Sequence, residues 1–100
     1  MMGRQILWQG EHFSILNGIS CEFKGKDLSN VSSVDSFKCL NEICRNNPKC
    51  THYTLTSENG GTCYLKTGTV SKSDAKFQSP HKTFPVTWMC GIDYSKVRRT

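Results

Sequence analysis

A chain of 100 residues with 36% hydrophobic content has room for one compact domain, and apolar burial alone would leave that fold marginal. The formal charge of +5 does not mark a nucleic-acid partner, because Lys96, Arg98 and Arg99 supply three of the thirteen positive charges and the remaining signs are mixed, without cations interleaved with aromatics. No stretch is apolar enough to span a membrane, and Met1 to Gly10 holds only three consecutive apolar residues where a secretory signal needs about seven or more.

Residues 1–18 precede the first cysteine and show no sustained period. They are expected to form an N-terminal extension, mobile in part, with some of Trp8, Phe13, Ile15 and Leu16 packing as an edge strand. A short strand is predicted over Ser20–Phe23, then a turn at Gly25 and a second extended segment, Asp27–Val31. The clearest element is a helix starting near Ser32 or Ser33, where Ser32-Ser33-Val34-Asp35 fits a capping box. Phe37, Leu40 and Cys44 fall on one helical face, with Val34 and Ile43 flanking it, and Asn46-Asn47-Pro48 ends the run. Residues 51–57 and 62–67 alternate in polarity around Glu58-Asn59-Gly60-Gly61 and predict a β-hairpin. Gly68–Pro80 is polar and is expected to be a loop. A last strand is predicted over Thr83–Cys90, with Pro85 placing it at an edge or a bulge. One helix against a small antiparallel sheet makes an α+β domain.

Six cysteines, Cys21, Cys39, Cys44, Cys50, Cys63 and Cys90, are separated by 17, 4, 5, 12 and 26 residues. No pair is spaced CxxC and no histidine pair follows at zinc-finger distance, so neither a metal nor another cofactor is expected. Disulfides are, and they place the chain in an oxidising compartment. It is therefore expected to be a mature or excised segment of a secreted protein. Each bridge contributes on the order of 2–4 kcal/mol, so three together rival the whole stability of a small domain.

The run Cys21-Glu22-Phe23-Lys24-Gly25-Lys26-Asp27-Leu28, a cysteine-bearing helix, Cys50-Thr51-His52-Tyr53-Thr54-Leu55 and Gly61-Thr62-Cys63-Tyr64-Leu65-Lys66 together resemble the apple/PAN family. The resemblance spans Cys21 to Cys90 and takes in all six cysteines. It is nearest to a subgroup, often accompanying secreted carbohydrate-active domains, that carries a stretch like Val70-Ser71-Lys72-Ser73-Asp74-Ala75 and a closing Cys-Gly. The resemblance implies a curved antiparallel sheet of about five strands around one helix, within an apple/PAN domain over 19–92 and a basic C-terminal tail over 93–100. It implies roles in binding proteins and carbohydrates. Tyr64 stands where related sequences often carry Trp, which reduces the stacking area there.

Six cysteines allow fifteen pairings, and sequence alone does not choose among them. Cys39 and Cys44, about 140° apart around one helix, cannot bond each other. The Asn46–Lys49 turn favours Cys44–Cys50, mid-helix Cys39 can reach Cys63, and Cys21–Cys90 then remains. The apple/PAN resemblance implies the same nested set.

If Cys63 faces the helix, period two turns Leu65 inward too and Tyr64 and Lys66 outward. On the neighbouring strand Tyr53 and Leu55 become core, and His52, Thr54 and Thr56 are expected on the outer face. Imidazole, hydroxyls, phenol and ammonium together suit a sugar, whose apolar ring face stacks on an aromatic while its hydroxyls seek donors and acceptors. β-propensity alone would produce the same threonine-rich surface. Trp88, His81, Lys72 and Asp74 are candidate borders of that site. Trp88 is as readily a core residue, His81 a loop residue and Lys72–Asp74 a loop ion pair. The histidines show no i,i+4 pair, and neither a GxSxG elbow nor a free thiol nucleophile is expected, so the chain is not expected to be an enzyme. Asn30-Val31-Ser32 is a glycosylation sequon.

The expected function is non-catalytic, lectin-like recognition of a glycan or glycoprotein by a secreted module. Protein–protein adhesion through the helix side or the 68–82 loop is the alternative, and a structural spacer a minor third. A membrane span and a nucleic-acid partner are not expected. The basic tail is expected to be solvated, with contact to anionic glycans or membranes as its other use.

Overall fold

The structure, a computed structural model, describes residues 6–9, 15–35, 37–78 and 88–97. Its framework is a six-stranded sheet of spatial order β1-β2-β8-β5-β6-β4, antiparallel throughout. The strands are β1 (Leu7–Gln9), β2 (Ile15–Ile19), β4 (Asp27–Ser32), β5 (His52–Thr56), β6 (Thr62–Lys66) and β8 (Met89–Asp93). A second sheet pairs β3 (Cys21–Glu22) with β7 (Lys76–Phe77). One helix, α1 (Lys38–Cys44), is present among the described residues. With three disulfides this is a small α+β fold.

The segment before Cys21 contributes more than an edge. β1 does lie at one margin, but β2 sits inside the sheet between β1 and β8, with Ile15 and Leu16 buried. The last strand runs on to Asp93, beyond the predicted Cys90. Residues 79–87, including His81 and Pro85, lie outside the described residues, as do His12, Arg98 and Arg99. The 68–80 loop expectation holds only between short elements: Lys72–Asp74 forms a single 3₁₀ turn and β7 follows it.

The helix starts later than the capping-box pattern predicts. Ser32 is still in β4, paired with Thr62, and Ser33 adopts a left-handed conformation with φ of 61°. The cap falls instead to Asp35, whose Oδ1 accepts from the Lys38 N–H at 2.8 Å. The turns of α1 are wide and π-type, and with this start Phe37 is 65% exposed while Cys39, Leu40 and Cys44 point into the core. Phe37 is thus removed from the predicted apolar stripe.

The sheet is covered on both faces. Against the helix lies a core built from Ile15, Val34, Leu40, Tyr53, Leu55 and Leu65, with the Cys39–Cys63 and Cys44–Cys50 bridges within it. On the opposite face Leu16, Phe23, Val70, Ile92 and Val97 gather around Cys21–Cys90, which ties β3 to β8. The Cα–Cα distances of 5.6, 5.6 and 5.2 Å suit disulfides without displacing the backbone. Three disulfides in so small a domain are typical of extracellular proteins.

The hairpin between β5 and β6 turns through Asn59, Gly60 and Gly61, all at positive φ. Gly61 faces Val34: the Val34 N–H donates to the Gly61 carbonyl at 3.1 Å, locking the helix approach onto the hairpin turn. At the other end of the helix, the Lys96 ammonium donates to the carbonyls of Cys44, Asn47 and Cys50 at 2.6, 2.9 and 3.1 Å. Lys96, counted above with a solvated basic tail, is therefore a helix C-cap, and Val97 beside it is buried.

Candidate functional site

β5 is the strand between β8 and β6, and all five of its residues are buried. The expected opposition of faces is seen, with Tyr53, Leu55, Cys63 and Leu65 on the helix side. The expected open outer face is not. His52 and Thr54 are 2% and 3% exposed and Lys66 is 4% exposed, because the Cys21–Gly25 segment and β7 form a second layer over them. Their polar groups are satisfied within the protein, as burial demands. The Thr54 hydroxyl accepts from the Phe23 N–H at 2.8 Å and donates to the Phe23 carbonyl at 3.2 Å. The Lys66 ammonium reaches Asp27 Oδ1 at 2.5 Å and the Gly25 carbonyl at 3.0 Å.

His52 is an interior group. Its ring meets the edge of Phe23 at 5.0 Å between centroids, and Nδ1 lies 2.8 Å from the Thr51 hydroxyl. That hydroxyl spends its one proton on the Gly68 carbonyl at 2.8 Å, so Nδ1 carries a hydrogen and donates to it. Burial, then the nearby Lys26 and Lys66 charges, lower the His52 pKa to about 4, with Asp74 opposing. The unfolded chain therefore takes up this proton first on acidification. The contribution is complete above about pH 6.5, the ordinary value, and is lost as pH falls from there to about 4. We expect His52→Asn, whose amide can still donate to Thr51, to flatten that part of the stability–pH curve by up to about 2 kcal/mol. Thermal melts of both proteins from pH 7.5 to 4 provide the check; parallel curves would refute the assignment.

What remains accessible is a cleft of about 380 Å³ beside this second layer. Its floor is Thr54, Thr56 and Lys66, and the Glu22–Gly25 segment with Asp27 forms one wall. Glu58, Tyr64 and Trp88 close it on the other side. Trp88 and Tyr64 are both half-buried, and the backbone of Trp88 is fixed by the Ser20 N–H, 2.8 Å from its carbonyl. Glu58 sits in the hairpin turn, where its Oε1 accepts from the Thr56 hydroxyl at 3.1 Å and the Tyr64 hydroxyl at 3.4 Å. Local desolvation and that carboxylate raise the Tyr64 pKa, keeping the phenol protonated. Glu22 is held by the Gln78 side-chain amide.

Of the residues singled out from sequence, the cleft gathers Thr54, Tyr64, Lys66 and Trp88. Lys72 and Asp74 lie elsewhere, on the exposed 3₁₀ turn. The Lys72 ammonium is 5.9 Å from the Trp8 ring centroid, and Asp74 Oδ2 accepts from the Ser71 N–H at 2.9 Å. His52 does not line the cleft, and His81 is outside the described residues. Glu22, Asp27 and Glu58 were missed. Asn30 is exposed on the edge strand β4 and pairs across to Tyr64, so a glycan attached there would stand near the cleft mouth.

Among the described residues no three His, Cys, Asp or Glu side chains gather to hold a metal ion, and no helix is long and apolar enough to cross a membrane. No family model, curated protein or solved structure matches the chain.

Proposed function

We propose that the protein is a non-catalytic, secreted recognition module of the apple/PAN type that binds carbohydrate in the cleft. The observation carrying this reading is that two half-buried aromatics, Trp88 and Tyr64, share one cleft with fixed carboxylates and an ammonium. A pyranose has one apolar face and a rim of hydroxyls, and this lining offers a partner for each. The cleft volume is within the range of small-ligand sites. The order of the six cysteines supports the family reading.

A glycan array tests it. Binding that a free monosaccharide competes away, and that Tyr64→Ala weakens about tenfold or roughly 1.4 kcal/mol, is the expected result. The melting temperature should change little, because Tyr64 is partly solvated. An array blank for every saccharide would reject the proposal. Adhesion to a protein is the second reading, favoured by a groove of about 270 Å³ on the helix side lined by Val34, Leu55 and Met89, and by exposed Phe37. Binding lost on Phe37→Ser rather than on Tyr64→Ala would select it.

A further inference from the structure

We infer that the cleft selects saccharides that donate hydrogen bonds, neutral polyols or amino sugars, and rejects acidic ones, although the chain as a whole is basic. The inference rests on the carbohydrate reading above and names the class of sugar.

It follows from an inventory of donors and acceptors. Every hydroxyl of the cleft has an acceptor inside the protein, that of Tyr64 at a long 3.4 Å. Thr54 gives its proton to the Phe23 carbonyl, and Thr56 and Tyr64 both give theirs to Glu58 Oε1. Two of the three Lys66 protons go to Asp27 and Gly25. The side-chain donors left for a ligand are the Lys24 ammonium at the exposed rim, the Trp88 indole N–H and one proton of Lys66. The acceptors are far less committed. Hydrogen bonds occupy Oε1 of Glu58, Oε2 of Glu22 and Oδ1 of Asp27, leaving the second oxygen of each carboxylate for a ligand. The Tyr64 oxygen, having donated its proton, also keeps its lone pairs.

Charge points the same way. Glu22, Asp27 and Glu58 face two ammonium groups, Lys24 and Lys66, in the cleft lining. The Lys66 charge is met by Asp27 at 2.5 Å, while Glu22 and Glu58 are held by neutral groups, an amide and two hydroxyls. A sulfate, sialate or uronate placed against Trp88 and Tyr64 would bring its charge into a lining that holds those two carboxylates. The +5 of the whole chain therefore lies outside the site and says nothing about its ligand.

Three tetrasaccharides titrated into the intact, disulfide-bonded protein test this: a glucosamine oligomer, its fully N-acetylated counterpart and an acidic heparin or hyaluronan fragment. The acidic fragment is expected to bind at least tenfold more weakly than the better of the other two. Glu58→Gln should weaken that better ligand about tenfold while leaving the melting temperature near wild type. The acetylated and free-amine probes separate the two sources of donors, since only the free amine should lose affinity as salt is raised. Preferential binding of the acidic fragment, or unchanged binding by Glu58→Gln, would overturn the inference and leave the carbohydrate reading standing. Failure of all three probes, together with a blank array, would remove both.

Discussion

Gly61→Ala is expected to lower the melting temperature by at least about 15 °C, or to prevent folding outright. A Cβ at position 61 would lie 2.0 Å from the Val34 carbonyl oxygen and 3.1 Å from its carbon, far inside contact distance of backbone atoms. The two segments cannot separate to make room, since the Val34 N–H donates to the Gly61 carbonyl and Val34 is buried in the helix-side core. The residue also sits at φ of +108°, a conformation alanine resists. Clash and strain together amount to about 3 kcal/mol or more, and each kcal/mol moves the midpoint by roughly 4–8 °C in a domain of this size. Gly60→Ala is the control. It shares the positive φ, at 77°, but its Cβ would meet nothing nearer than 3.9 Å, so it should cost only about 1 kcal/mol. Equal losses from the two substitutions would show that the clash with Val34 is not the cause.

Lys96→Met should cost about 3–5 kcal/mol by denaturant unfolding. The substitution keeps most of the apolar stem and removes the ammonium from the Cys44, Asn47 and Cys50 carbonyls. It also abandons Asp93, which is 1% exposed. Asp93 Oδ1 accepts from the Ser95 N–H and hydroxyl, but among the described residues buried Oδ2 has no hydrogen bond and only the Lys96 charge, 3.6 Å away, to balance it. The stranded carboxylate accounts for part of the loss, so Asp93→Asn should cost less in the Lys96→Met background than in the wild type. A four-member cycle measures that coupling. A single Lys96→Met loss below about 0.5 kcal/mol would mean the tripod of carbonyls is satisfied by water instead.

How far the residues announced this arrangement depends on how local each signal is. The β5–β6 hairpin was legible because alternation flanks a Gly-rich turn, and β4 because its extended residues fall between turn residues. The helix starts later than predicted because Ser and Asp both serve as caps, and only the pairing of Ser32 with Thr62 and the left-handed φ of Ser33 exclude the two serines. Period two correctly set Tyr53 and Leu55 against His52 and Thr54. It has no access to what covers the second face, since strands of two residues such as β3 and β7 carry no periodic signal. The same limit hid the cleft. Glu22 and Glu58 belong to a short strand and a turn, where acidic residues are commonplace, and only the fold brings them opposite Trp88. Lys96 reads as a solvated charge in the sequence because its three carbonyl partners are distant along the chain. The Asp93 three residues before it was the one available hint.

The Cys21–Cys90 bridge has a mechanical consequence. Ile15 pairs with Asp93 and Gly18 with Cys90, so the chain leading into β2 and the chain leaving β8 emerge at the same end of the sheet. Once β1 is stripped from β2, tension on the two flanks would peel β2 and β8 apart one rung at a time, a low-force geometry, instead of shearing them together. The peeling then meets the covalent link. Cys21 and Cys90 are 69 positions apart, and every residue that lines the cleft, from Glu22 to Trp88, lies between them. While the bridge is intact, covalent tension between the two flanks passes through it and bypasses that span. A tether can unravel at both flanks while the cleft stays within the covalent loop.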